Sequence, residues 1–373
     1  MAPIEYLSAY EDKHNLREIQ VPETKSIPFT ALPKAPSKDA KCNVYIVKNS
    51  DLHMSLSVFV RTSDTKMPYV LPVYTFVVEH SSGRRVAFDL GVKHKAEDFS
   101  PFTQSVIKDM PITWPRATVP EIFESHGVSG DSIEAVVLSH THFDHIGDIG
   151  QFPTKTKLIV GPGTAKAALP GYPTYKDSSV LDSDLPFGSD REVEELNDDS
   201  PWVQIGSYRG IDYFGDGSFY ILDAYGHMVG HVAALVRTTT DPDTYIILAG
   251  DSAHVRGLYS CCPGCAHPPF RAGLYPAADG LSPAERARGG LLAIHYDLPA
   301  AYANMARMGR MEEEDNVTVV LAHDVEWKRI LDAQEGEDWE WVDITNWKKE
   351  GKKEAVRKEW VFTPQTVPDC DDI

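Results

Sequence analysis

Six consecutive residues, His140-Thr141-His142-Phe143-Asp144-His145, carry three imidazoles and one carboxylate directly after the run Val136-Val137-Leu138-Ser139. Side chains two apart on an extended chain point to one side, so His140 and His142 can face a common centre. The chain then turns, which lets Asp144 and His145 converge from the next element. Neutral imidazole and carboxylate suit zinc and related divalent ions. Three further apolar runs end in a residue of the same kind: FYILDAYGH at His227, TYIILAGD at Asp251 and VTVVLAHD at His323. Each alone reads equally well as a loop residue capping a strand. Together with the first cluster they read as ligands gathered at one sheet edge from distant parts of the chain.

The elements that must position these residues are mostly strands. Apolar, β-branched runs predict strands at 42–48, 56–61, 72–80 and 85–91, separated by turn formers such as Asn49-Ser50 and Ser81-Ser82-Gly83. Further strands are expected at 134–140, 157–161, 219–224, 231–238, 244–251 and 317–324. Helical patterns fall at 119–126, 299–311, 325–333 and 344–357, and Asp297 precedes the second of these, where its carboxylate can cap free N–H groups. So many apolar strands with helices between and after them call for two sheets packed face to face with helices outside. Three long connections, 93–118, 172–201 and 255–283, lack an obvious regular pattern. Long connections of that kind are commonly functional lids. The first and third are expected to cover the site and set substrate choice, with Trp114 and Phe270 as candidate pocket residues.

In these residues the chain resembles the metallo-β-lactamase superfamily. The likeness rests on His140-Thr-His142-Phe-Asp144-His145, on Gly226-His227-Met-Val-Gly230-His231, on Gly250-Asp251 and on the strand-end His323, with Asp89 in AFDLG similar to the family's structural aspartate. It implies an α/β fold of αββα sandwich type with two metal ions at one edge of the sheets. Carried over residue by residue, His140, His142 and His227 would hold the first ion, Asp144, His145 and His323 the second, and Asp251 would bridge them. The ions implied are divalent, and zinc is the expected metal. Two carboxylates and five neutral histidines leave such a centre net positive, able to hold a hydroxide as nucleophile. Asp144 would also take a proton from it.

Within that superfamily, the true β-lactamases have cysteine where Asp251 stands. The nucleic-acid-processing branches carry extra domains and basic surfaces, and flavodiiron proteins depart from the first motif. The chain is most similar to the quorum-sensing lactonase-like group, which also has a helix starting at an aspartate near proline, as at Asp297. That group commonly has tyrosine three residues after the bridging aspartate; here the position is His254. An imidazole can donate to an oxyanion and protonate a leaving group, and an amine leaving group needs that proton more than an alkoxide does. The expectation is therefore a hydrolase that opens a cyclic ester or cyclic amide, with Asp144 and His254 as catalytic residues. The alternative is a thioesterase of the same fold acting on glutathione or carrier-linked acyl thioesters. His231 is read as a supporting or core residue, while His267 and His295 are left unassigned.

Composition bounds these readings. The 373 residues carry a formal net charge of −19 and are 42% hydrophobic, which fits a folded globular chain and excludes global disorder. The acidic balance is the wrong sign for a phosphate backbone, so the partner expected is a small molecule, not nucleic acid. No apolar run reaches the ~20 residues that span a bilayer, and no membrane partner is expected. The five cysteines do not form a secretory framework, and Cys261-Cys262-Pro-Gly-Cys265 reads as a loop with free thiols. The charged N-terminus has no apolar leader, and a cytoplasmic chain is expected. A homodimer is compatible with the sequence. Residues 1–40 read as an extension, 41–335 as the hydrolase domain, and 336–373 as a helix and tail packed on it.

Overall fold

The computed structural model describes residues 22–60, 68–260, 272, 274–276 and 291–359. Two sheets dominate. The first, of eight strands, contains β1 (Cys42–Ser55), β2 (Pro68–His80), β3 (Arg85–Phe88), β4 (Ile112–Thr113), β5 (Ile133–Val137), β6 (Lys157–Val160), β7 (Val193–Glu195) and β16 (Trp341–Asp343). Its order is β16-β1-β2-β3-β5-β6-β7, with β4 paired to β1. The second, of six strands, is made from β8 (Val203–Ile205), β9 (Tyr208–Asp212), β10 (Phe219–Asp223), β11 (Val232–Thr240), β12 (Asp243–Leu248) and β15 (Val317–Val320), in the order β15-β12-β11-β10-β9-β8. A separate ribbon pairs β13 (Leu274–Pro276) with β14 (Leu291–Ala293).

The alternation of side chains builds four layers. Ile46, Phe76, Val86 and Val137 of the first sheet pack with Ile221, Ala234, Ile246 and Leu248 of the second in one buried cluster. Their neighbours point the other way. Val47, Val77, Ala87 and Val136 meet Val119, Ile122 and Phe123 of helix α2 (Val119–Ser125). Tyr220, Leu235, Tyr245 and Ile247 meet Ala301, Tyr302, Met305 and Met308 of helix α5 (Leu298–Glu312). This is the expected αββα sandwich. The Asp297 carboxylate caps α5 by accepting from the Ala300 N–H at 3.1 Å, as the sequence suggested.

Four elements depart from expectation. Of the strand expected over 56–61, the described residues 56–60 do not form one: Leu56–Val58 form a 3₁₀ turn, with Leu56, Phe59 and Val60 all buried. Their spacing of three and four is the helical period, which outweighs their β-branched composition. The connection 93–118 contains helix α1 (Pro101–Ile107), capped by Ser100 through the Thr103 N–H at 3.2 Å, and the bridging strand β4. The connection 172–201 contains β7, and β8 and β9 follow where no strand was expected. The helix expected over 344–357 is confined to α7 (Lys352–Lys358), because Gly351 caps it in a left-handed conformation (φ +68°). Among the described residues the remaining α-helices are α3 (Phe143–Ile146), α4 (Thr164–Ala168) and α6 (Val325–Glu335). Cys261, Cys262, Cys265, His267, Phe270 and Cys370 lie outside the described residues, as does most of the connection 255–283.

Strand direction explains how distant residues meet. β3, β5, β6 and β7 run parallel, as do β12 and β15, so residues following β3, β5, β12 and β15 emerge at strand C-terminal ends. These are Asp89, His140, Asp251 and His323. β11 is antiparallel to both β10 and β12, so the loop from β10 to β11, carrying His227 and His231, turns at the edge where β12 ends. One edge of the sandwich therefore collects every expected residue.

Candidate metal centre

The structure gathers all seven residues expected to hold metal. Ligand-type atoms of His140, His142, His227 and Asp251 all lie within 4.8 Å of one another, and so do those of Asp144, His145 and His323. Asp251 joins the groups: its Oδ2 is 3.3 Å from His227 Nε2 and 3.7 Å from His140 Nε2, while its Oδ1 is 3.2 Å from His145 Nε2 and 3.3 Å from His323 Nε2. Asp144 Oδ2 is 3.3 Å from His323 Nε2. All are buried except His142, which is half-buried.

Local structure aims these groups. Asp89 is the one described non-glycine residue with positive φ (+61°), a strained conformation held by its side chain. Its carboxylate accepts from the Ser139 N–H at 2.6 Å, from Ser139 Oγ at 2.8 Å and from His145 Nδ1 at 2.9 Å. His145 is thereby left with Nε2 facing Asp251. His231 Nδ1 donates to the Ala224 carbonyl at 2.9 Å, and its Nε2 accepts the Asp251 backbone N–H at 3.0 Å, which fixes the loop after β12. His323 Nδ1 donates to the Pro72 carbonyl at 2.7 Å, again leaving Nε2 for the centre. Gly250 turns with φ +53° against Ser139 and His231; a Cβ there would stand 2.8 Å from Ser139 Cβ.

The donor set fits metal ions better than it fits protons. His142 Nδ1 lies 2.8 Å from His140 Nε2 and 3.0 Å from His227 Nε2. Three ring nitrogens converge, and one proton can join only two of them. His145 Nε2 and Asp251 Oδ1 are buried without a hydrogen-bond partner. Burial, aided by neighbouring imidazoles, pushes His140 well below the ordinary histidine range. Burial also pushes His227 well below that range and lowers His142. These rings are neutral, with lone pairs available. Burial likewise works against charge on His145 and His323, but Asp251 and Asp144 outweigh it. His145 is raised well above its usual range and His323 to about 10. Burial works to raise Asp144 and Asp251, but the facing histidines outweigh it and hold both below the usual carboxylate range.

His254 is drawn into the same cluster. Its Nε2 is 3.0 Å from Asp251 Oδ2, and its ring stacks on Phe59 with centroids 4.9 Å apart. Its Nδ1 is buried without a partner. His295, unassigned from the sequence, is also here: its Nδ1 is 3.2 Å from His227 Nδ1, and its ring lies 5.7 Å from that of His254. The apolar run Leu291-Leu292-Ala293-Ile294 leads into His295, with β14 ending two residues before it, so the strand-end signal that marked Asp251 and His323 was present here too and could have found it. Of the two expected covering segments, 93–118 reaches the first ligand motif through Phe99, whose ring meets edge-on, at 6.0 Å, that of Phe143 between His142 and Asp144. Trp114 packs, partly buried, against the same cluster as Phe99.

Residues 69–323 match the family model described as the metallo-beta-lactamase superfamily, and the chain belongs to that superfamily. Its members are hydrolytic and metal-dependent. Among curated relatives, the chain is 34% identical over 300 residues to the cytochrome P450 monooxygenase mpaDE of Penicillium roqueforti, covering 78% of this chain and 33% of that protein. The chain thus spans about a third of that relative's length. It is 38% identical over 197 residues to the gamma-lactamase FDB1 of Fusarium pseudograminearum, covering 51% of this chain and 47% of that one. In fold it is similar to an N-acyl homoserine lactone hydrolase solved with the product N-hexanoyl-L-homoserine bound at the catalytic metal centre. That likeness has a TM-score of 0.53 and 17% identity, and covers 78% of this chain and 96% of that one. Among the described residues, no helix is long and apolar enough to cross a membrane.

Proposed function

We propose that the chain is a dinuclear zinc hydrolase that opens a small cyclic amide or cyclic ester. The observation that carries this reading is the convergence of five histidines and two aspartates, from three strand ends and one loop, on a centre bridged by Asp251. His140, His142 and His227 would hold one ion, and Asp144, His145 and His323 the other. When bound, a pair of this kind supplies a Lewis acid for the substrate carbonyl and an acidified water as nucleophile. Asp144 is assigned to accept the nucleophile's proton at its carboxylate. His254 is assigned as the donor to the oxygen or nitrogen that leaves, from the Nε2 that faces Asp251 Oδ2. The gamma-lactamase relative favours the amide, and so does an imidazole donor, because a departing amine needs a proton. A thioester substrate is the less favoured reading: its carrier's anionic groups call for a basic rim, and the chain's net charge is −19.

The test is metal analysis of the purified protein joined to a hydrolysis screen over lactones, lactams and thioesters. Two ions per chain and turnover of a lactam or lactone are expected, with His254→Phe lowering turnover ~10²-fold while both ions stay bound. Turnover confined to thioesters, or an unaltered rate in His254→Phe, would overturn the corresponding assignment.

Metal binding should also release protons. His145 and His323 have raised proton affinities, so in metal-free protein at pH 7 they hold protons that a bound ion must displace. Calorimetry of zinc binding in buffers of different ionisation enthalpy should show release of about one proton from each ring. Binding with no proton release would contradict these two residues as ligands.

A further inference from the structure

We propose that His295 is a positioning residue for this centre: its Nδ1 accepts the Nδ1–H of His227 and so holds His227 in the tautomer whose Nε2 lone pair faces His142 and Asp251. The inference rests on the reading of His227 as a metal ligand. A neutral imidazole carries one proton on two nitrogens. His227 Nε2 lies 3.0 Å from His142 Nδ1 and 3.3 Å from Asp251 Oδ2, so it is the nitrogen turned to the centre. Its Nδ1 has one described partner, His295 Nδ1 at 3.2 Å. Two facing ring nitrogens share one proton, and a lone pair at His227 Nε2 places that proton on His227 Nδ1. His295 must then be the acceptor at Nδ1 and carry its own proton on Nε2. That buried atom has no hydrogen-bond partner among the described residues.

The backbone holds the two rings together independently of that bond. The Tyr296 N–H donates to the His227 carbonyl at 2.8 Å, and the Asp297 N–H donates to the Gly226 carbonyl at 2.9 Å. Gly226 (φ +142°) passes so close to α5 that a Cβ on it would lie 2.4 Å from the Ala301 nitrogen. The segment carrying His295 is thus laid along the loop carrying His227 and anchored at its far end by the Asp297 cap. Metal-bound histidines usually have such a partner on the second nitrogen, most often a carboxylate or carbonyl, and its loss typically costs 10–100-fold in metal affinity. Here an imidazole takes that place.

The test compares His295→Leu with His295→Asn, because an asparagine Oδ1 can occupy the accepting position of a histidine Nδ1. Zinc affinity is measured by chelator competition, and the ligand field by the visible spectrum of the cobalt(II)-substituted protein. The leucine variant is expected to lose ~10–100-fold in affinity for the more weakly held ion and to alter the cobalt spectrum. The asparagine variant is expected to stay within a few-fold of wild type in affinity and to keep the wild-type spectrum. Equal affinities in wild type and the leucine variant would overturn the role, as would equal losses in both variants, which mark packing alone. Three metal equivalents per chain would also overturn it, by making His227 Nδ1 a ligand itself. Wild-type protein that binds fewer than two ions would instead defeat the function proposed above.

Discussion

Asp251→Ala is expected to release both metal ions and reduce hydrolysis by ~10³-fold or more, since Lewis-acid stabilisation is worth several kcal/mol and each 1.36 kcal/mol is a factor of ten. No other side chain stands between the two ligand groups in the same way. Its two oxygens lie within 3.3 Å of His145, His227, His254 and His323. The fold should survive, because the tie that fixes this loop uses the Asp251 backbone N–H on His231, which alanine keeps. Metal content, turnover and circular dichroism of the variant check the prediction together. Two ions retained with near-wild-type turnover would remove Asp251 as the bridge.

The largest expected effect on stability belongs to Arg256. Its guanidinium is buried, with Nη1 2.9 Å from Glu312, Nη2 2.8 Å from Asp324 and a further bond from Nη2 to the Val319 carbonyl at 2.6 Å. Removing one partner of a buried ion pair costs about 3–5 kcal/mol, because the other charge is left uncompensated. That is a large part of the 5–15 kcal/mol that holds an ordinary domain together. Arg256→Met should therefore lower the urea midpoint strongly, and adding Glu312→Gln and Asp324→Asn to it should recover part of the loss. No change in the midpoint would show that the network relaxes onto water. The site should suffer too. Arg256 stands two residues after His254, and Asp324 follows His323 directly while capping α6 through the Trp327 N–H at 3.0 Å.

Most of this centre was legible because its residues end apolar strands. A buried run announces a strand, and a histidine or aspartate at its last position can hardly be core. Asp251 and His323 came from that pattern, and the density of the first motif supplied His140, His142, Asp144 and His145. His295 also follows an apolar run, Leu291-Leu292-Ala293-Ile294, and was missed because no motif set it apart: its tie to His227 spans 68 residues of chain and only the fold brings the two rings together. Among the elements, Ser100-Pro101 is a helix start that could have revealed α1. β7 was hidden by composition: Val193-Glu194-Glu195 carries two carboxylates in three residues, as a strand with one unpaired side can.

That last feature bears on how the molecule meets its own copies. A sheet border with free N–H and C=O groups invites strand addition from another chain, and short or charged border strands discourage it. The first sheet ends at β7 and β16, each three residues long, and Lys157 pairs with Glu192 and Glu194 beside β7. The second sheet's β8 border is another three-residue strand. Edge-to-edge growth into a continuous intermolecular sheet is therefore disfavoured at these three borders.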